Sequence, residues 1–133
     1  MSTRRLLILA GCVGALLATP VAGAAAEIVI DAGALVPALL TVESDDSVTF
    51  VNRSGRVVHL EFRGPADEHH VFQVPGLIRA TFHRAGRHPY VVHFETPPRA
   101  ELQGIVDVRE PASPRSQLPV CSGVSVGEIC IER

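Results

Sequence analysis

The sequence predicts an all-β protein built as a β-sandwich. After residue 26, apolar and polar side chains alternate in short runs, and each run ends at a turn rich in Gly, Pro, Asp or Asn. No helical period of useful length follows residue 26. Roughly six to eight short strands separated by such turns are typical of two packed β-sheets.

The first 26 residues have the features of an export signal. Arg4 and Arg5 form a positive start, residues 6–18 form an apolar run, and small residues permit cleavage after Ala24 or Ala26. We therefore expect a periplasmic or secreted protein. Its mature chain of about 107 residues is enough for one domain with a modest core.

A lipoprotein signal is the alternative for this segment. Leu9-Ala10-Gly11-Cys12 resembles a lipoprotein cleavage box with Cys12 as the lipidated residue. The apolar run continues past Cys12, which favours the ordinary signal. The same run is too short and too rich in Gly and Ala for a membrane span, so we expect no stable membrane insertion after cleavage.

Charge and motifs exclude several classes of function. Loss of Arg4 and Arg5 would take the formal net charge from −2 to about −4, which gives no indication of nucleic-acid binding. The serines lie outside any nucleophile-elbow motif, and no glycine-rich phosphate loop is present. The sequence therefore predicts a protein that is not an enzyme.

Residues 27–108 hold the predicted strands. In the run from Arg56 to Phe62, Val58, Leu60 and Phe62 form the apolar set, so His59 faces away from the core. Pro97 and Pro98 interrupt the last pair of strands because proline has no N–H to donate. The predicted strands are 27–31, 38–43, 47–52, 56–62, 69–74, 77–83, 86–95 and 104–108.

A disulfide is predicted in the C-terminal extension. Residues 109–119 form a Pro/Ser-rich linker, and residues 120–133 hold Cys121 and Cys130. An even pair in an exported chain favours a disulfide that staples a small hairpin. Closing a loop of about ten residues stabilises the fold by about 2.5–3 kcal/mol in the chain-entropy model. A thiolate metal site or redox pair remains the alternative, although the spacing differs from Cys-x-x-Cys.

Two stretches of the sequence each contain characteristic residues at defined spacings. The first holds Pro37, Leu40, Val42, Asp46, Val48, Phe50 and Asn52, and the second holds Gly86, His88, Tyr90, Gly104, Val106 and Val108. In this order and spacing they resemble the cupredoxins, the plastocyanin- and azurin-type sandwiches that hold type 1 copper. The resemblance implies a cupredoxin-like Greek-key β-sandwich over residues 27–108, with His59 in the place of the first copper histidine.

The pattern departs from the cupredoxins at the copper ligands. Val92 stands where the copper cysteine belongs, Leu102 where the axial methionine belongs, and Glu95 near the place of the loop histidine. A blue-copper centre needs a trigonal His₂Cys set with a weak axial ligand. The resemblance thus implies a retained scaffold without the standard site. Rescue by a free Cys121 or Cys130 is the least favoured hypothesis.

Histidine density indicates a different metal site. All six histidines lie between residues 59 and 93, and neutral imidazole is the commonest protein ligand for copper and zinc. His59 and His93 are the main candidates, His69 or His70 could add a third nitrogen, and Glu95 could add an oxygen. Such a set suits Cu(II) or Zn(II), with copper placed ahead of zinc.

Two functional hypotheses stay open. In the first, the protein is a periplasmic copper carrier or copper-homeostasis protein whose partner is a redox or copper-trafficking protein. In the second, it binds no metal and acts as an accessory module of a periplasmic redox complex, with His59 bonded to a backbone carbonyl. His83 and His88 are assigned to the solvated surface in either case.

Overall fold

The computed structural model describes residues 26–63, 69–112 and 120–133, which form two β-sheets. Residues 1–25 of the predicted export segment, among them Cys12, and residues 113–119 of the predicted linker lie outside the described residues. The strands are β1 Ala26–Ile30, β2 Leu35–Val36, β3 Leu39–Glu43, β4 Ser47–Asn52, β5 Val58–Arg63, β6 His69–Gln73, β7 Leu77–Phe82, β8 Gly86–Phe94, β9 Glu101–Arg109, β10 Val124–Val126 and β11 Ile129–Glu132.

The two sheets form a sandwich, which confirms the predicted all-β class. One sheet has six strands in the order β10-β11-β7-β4-β1-β2, and the other has five in the order β3-β9-β8-β5-β6. The described residues hold eleven strands, more than the six to eight predicted, because the short β2 and the C-terminal hairpin join the larger sheet. Within the same residues, no helix is long and apolar enough to cross a bilayer.

The core lies between the sheets and follows the predicted alternation. Val58, Leu60 and Phe62 are fully buried, as the sequence pattern indicates. Phe62 packs edge-on against Phe50 and Phe82, with ring centroids 5.9 and 6.0 Å apart. Tyr90 packs edge-on against Phe50 at 5.1 Å. These aromatic contacts join the two sheets and fix the inner face of β8.

Gly104 gives Tyr90 the room that this packing needs. The two residues lie opposite each other on β9 and β8. A Cβ atom on residue 104 would come within 2.2 Å of the Tyr90 hydroxyl oxygen and 2.3 Å of the ring carbon that carries it. The Tyr90 ring therefore fills the space that any other side chain at position 104 would occupy.

The C-terminal hairpin is part of the larger sheet. Strand β11 pairs with β10 and, on its other side, antiparallel with β7. Ile129 and Ile131 are buried in the common core. The predicted disulfide between Cys121 and Cys130 is confirmed, with a Cα–Cα distance of 5.6 Å. The tail is thus stapled to itself and also hydrogen-bonded to the sandwich.

Candidate metal site on the outer face of the five-stranded sheet

His59 and His93 lie directly opposite each other on the outer face of the five-stranded sheet. They pair across β5 and β8 in a regular antiparallel register. Because no bulge interrupts that register, both side chains point away from the core, as the alternation predicts for His59. Their side chains are 23% and 32% exposed. Directly opposed residues have Cβ atoms about 5 Å apart, so the two rings are neighbours.

The Asn52 side chain stabilises the turn between β4 and β5, which precedes His59. Its side-chain amide donates to the carbonyls of Arg56 and Val74 at 2.9 and 3.0 Å. Its side-chain oxygen accepts from the backbone and hydroxyl groups of Ser54 at 3.0 and 2.6 Å. These bonds link the turn after β4 to the end of β6, so β5 starts in a fixed register.

A carboxylate holds the Nδ1 atom of each histidine. His59 Nδ1 lies 3.1 Å from Glu95 Oε1, and His93 Nδ1 lies 3.1 Å from Glu101 Oε1. Metal-binding histidines typically have one ring nitrogen held by a carboxylate in this way, which fixes the ring and increases its basicity. Nε2 is then the nitrogen of each ring that a metal ion would take.

Glu61 occupies the centre of the cluster. Its Oε2 atom lies 2.6 Å from His93 Nε2, and its Oε1 atom lies 2.5 Å from His69 Nδ1. The hydrogen bonds from His69 and His93 hold the pKa of the Glu61 carboxyl below its ordinary value, although burial acts in the opposite direction. Both ring nitrogens of His93 therefore face carboxylate oxygens, Nδ1 that of Glu101 and Nε2 that of Glu61.

The sequence interpretation gave no role to Glu61 and did not identify Glu101. Glu61 is two residues from His59, so strand alternation alone places it on the same face. Glu101 was missed because the last strand was predicted to begin at Gly104. In the structure β9 begins at Glu101, which pairs directly with His93.

The remaining histidines divide by position. His69 lies on the edge strand β6 and joins the cluster through Glu61. His70 pairs in register with Phe62, so alternation puts it on the opposite face from His69. His83 Nδ1 lies 2.8 Å from Asp45 Oδ1, and His88 Nε2 lies 2.9 Å from the Arg84 carbonyl oxygen. His83 thus connects the turn after β7 to the turn between β3 and β4, whereas His88 bonds back to the turn that precedes β8.

The cluster lines an open cleft of about 920 Å³. Its walls come from β5, β6, β8 and the start of β9, and from the loop between β8 and β9. Arg99 and Ala100 contribute from that loop, and Val71 contributes from β6. In the arrangement described, no three His, Cys, Asp or Glu side chains of residues 26–63, 69–112 and 120–133 are gathered closely enough to hold a metal ion.

The two residues that the sequence resemblance assigns to the type 1 copper position do not fit that centre. Val92 is fully buried in the core and lies opposite Leu102. Both side chains are apolar and supply no ligand atom. Cys121 and Cys130 are joined to each other, so neither thiol is available to replace the missing one.

Comparison with known proteins gives structural matches only. No family model matches the sequence, and no curated protein matches it. A reduced Cu(I) form of a point mutant of amicyanin matches with a TM-score of 0.51 and 24% identity, covering 68% of this chain and 87% of amicyanin. Amicyanin from Paracoccus versutus matches with a TM-score of 0.51 and 18% identity, covering 69% and 86%.

A purple cupredoxin from Nitrosopumilus maritimus also matches, with a TM-score of 0.48 and 21% identity, covering 63% of this chain and 99% of that protein. At these identities the amicyanin matches establish the fold and leave the site to be argued from its own residues. The protein therefore has a cupredoxin-like fold.

Proposed function

We propose that the protein is an exported copper carrier that binds Cu(II) on the outer face of its five-stranded sheet. The observation that carries this proposal is the matched pair of histidines: His59 and His93 are opposed across two strands, and each Nδ1 atom meets a carboxylate oxygen at 3.1 Å. His59 Nε2, His93 Nε2 and a Glu61 oxygen would hold the ion. Glu95 and Glu101 would orient the rings.

The donor types favour Cu(II). Two imidazole nitrogens and a carboxylate oxygen suit divalent copper or zinc, and copper binds such sites more tightly in the Irving–Williams order. The sequence has one methionine, Met1, so a chain cleaved after residue 26 offers no thioether for Cu(I). The protein would hold the ion and release it to a partner, which is what a carrier requires. We expect no enzymatic reaction.

Metal binding requires a small local change. His93 Nε2 now contacts Glu61 Oε2 at 2.6 Å, so the proton between them must leave before an ion can enter. The open cleft lets the Glu61 side chain adjust without moving the strands. A periplasmic redox or copper-trafficking protein is the expected partner, since the cluster lies on an open face of the sheet.

A metal-free interaction module is the second candidate. The observation that favours it is the apolar Val92–Leu102 pair, which replaces the two ligands that cupredoxins place there. In that case the outer face would bind a protein partner directly, and its histidines would contribute hydrogen bonds and charge.

The test is a copper titration of protein lacking residues 1–26, followed by metal analysis after desalting. We expect near-stoichiometric retained copper in the parent protein and its loss in His59→Ala and His93→Ala. His88→Gln is the matched control, since His88 bonds the Arg84 carbonyl outside the cluster, and it should retain copper. Parent protein that retains no copper would overturn the carrier proposal and favour the interaction module.

A further inference from the structure

Arg56 connects the turn before β5 to the loop between β8 and β9. Its guanidinium lies 4.6 Å from the centroid of the Phe94 ring. Nε donates to the Thr96 hydroxyl at 3.2 Å. Nη2 donates to the carbonyl oxygens of Thr96 and of Pro98, the latter at 2.7 Å. One side chain thus bonds the loop at two separate residues.

The loop, residues 95–100, forms one wall of the cleft. Its ends are fixed by backbone bonds, from Glu95 N to Val57 O at 3.2 Å and from Phe94 N to Ala100 O at 3.0 Å. Between these ends the loop contains two prolines, which donate no backbone hydrogen bonds. In the part of the chain that the structure describes, Arg56 supplies side-chain hydrogen bonds to the middle of the loop, at Thr96 and Pro98.

Glu95 depends on this loop for its position. Its side chain is 56% exposed, so packing does not hold it in one place. The carboxylate reaches His59 Nδ1 because the backbone on both sides of Glu95 is held. On one side, the Phe94 ring contacts the Arg56 guanidinium. On the other side, Thr96 accepts two hydrogen bonds from Arg56.

We propose that Arg56 is a positioning residue of the candidate metal site. By fixing the loop at Thr96 and Pro98, it keeps the Glu95 carboxylate against His59 Nδ1 and so sets the direction in which His59 presents Nε2. The consequence for metal affinity rests on the proposed function. The effect on the loop and on the His59 ring is independent of any metal.

Lysine cannot take over this role. A guanidinium offers donors in a rigid planar fork and stacks on an aromatic ring, whereas an ammonium group is a single point of donation. Arg56→Lys keeps the positive charge and removes the planar set of guanidinium donors. It therefore separates an electrostatic contribution of Arg56 from its geometric one.

The test compares Arg56→Gln, Arg56→Lys and Glu95→Gln in protein lacking residues 1–26. Arg53→Gln is the matched control, because Arg53 lies in the same turn and its ion-pair partner is Glu27. Without metal, amide exchange at Phe94 and Glu95, whose N–H groups donate to Ala100 and Val57 at the ends of the loop, should rise about tenfold in Arg56→Gln and less in Arg56→Lys. The ring ¹⁵N signals of His59 should shift as they do in Glu95→Gln.

Copper affinity gives the second measurement. We expect Arg56→Gln and Glu95→Gln each to weaken Cu(II) binding about tenfold, which is typical when the partner that orients a ligand is lost. The double variant should lose little more, since both changes remove the same constraint. Arg53→Gln should match the parent protein in every measurement.

The outcomes separate the two proposals. Unchanged amide exchange and unchanged His59 ring signals in Arg56→Gln would overturn the positioning role. Parent protein that binds no copper would overturn the proposed function, while the metal-free exchange and ring signals would still decide the role of Arg56.

Discussion

The two faces of strand β8 show how this chain departs from a blue-copper protein. On the inner face, Tyr90, Val92 and Phe94 are buried among apolar side chains. On the outer face, His93 contacts two carboxylates at the edge of an open cleft. Residues 92 and 93 are adjacent in sequence and differ completely in environment. The chain thus combines a cupredoxin-like fold with a histidine and carboxylate cluster, our proposed metal site, on the face of β8 opposite to Val92.

Gly104→Ala tests the inner face and should have the largest effect. The new methyl group would meet the Tyr90 hydroxyl and ring, so we expect a loss of about 3 kcal/mol in the free energy of unfolding. Urea denaturation measures it. Gly33→Ala is the control, because a Cβ there meets no atom within 4 Å. Similar stabilities for the two variants would contradict the tight inner packing.

Glu61→Gln tests the outer face. We expect a loss of about 1–2 kcal/mol in the free energy of unfolding near neutral pH, since charge-assisted hydrogen bonds to His69 and His93 are weakened. Glu27→Gln should cost less, because Glu27 and its partner Arg53 are both exposed and 3.8 Å apart.

The same substitution has a defined pH dependence. The folded-state pKa of Glu61 lies below its ordinary value of 4.5. Its contribution to stability is therefore present above pH 4.5 and is lost as the pH falls from 4.5 through the lower folded pKa. Urea denaturation across this range should show a steeper loss in the parent protein than in Glu61→Gln. Parallel curves would contradict the hydrogen-bonded carboxylate.

Tyr90→Phe should have a small effect of the opposite sign. In the described residues the Tyr90 hydroxyl is buried without a hydrogen-bond partner, and burial raises its pKa. Its removal should leave the free energy of unfolding unchanged or raise it by up to about 1 kcal/mol. Ser47→Ala is the contrast, because the Ser47 hydroxyl bonds Thr81 at 2.9 Å and its loss should be destabilising. A clear loss of stability in Tyr90→Phe would reveal an interaction of the hydroxyl.

The smallest expected effect comes from restoring the cupredoxin ligands. In Val92→Cys/Leu102→Met, the new sulfur atoms would lie on the inner side of β8 and β9, whereas His59 and His93 lie on the outer face. We expect no intense thiolate-to-copper absorption band after copper loading. Such a band would show that the two faces are not separated as described.

Much of the fold could be predicted from alternation, and less of the site. Period-two patterns identified Val58, Leu60 and Phe62 as core and placed His59 outside. Alternation assigns faces but does not assign strand partners or strand ends. The pairing of β11 with β7 joins segments about 50 residues apart, and no local pattern specifies it.

The same limit explains the unpredicted part of the cluster. Glu101 contacts His93 only because β9 starts before Gly104 and pairs with β8 in one register. Arg56 reaches the loop 40 residues away through side-chain bonds that sequence spacing does not indicate. The residue types indicated which side chains could belong to the site. The register between strands determines which of these side chains contact one another.

Electron paramagnetic resonance of the Cu(II)-loaded protein tests the central claim most directly. The protein would lack residues 1–26 and carry ¹⁵N-labelled histidine rings. Coordination by His59 and His93 on the outer face predicts couplings from two imidazole nitrogens, with one remaining in His93→Ala. Copper coordinated without imidazole, or a spectrum unchanged in both His59→Ala and His93→Ala, would contradict it.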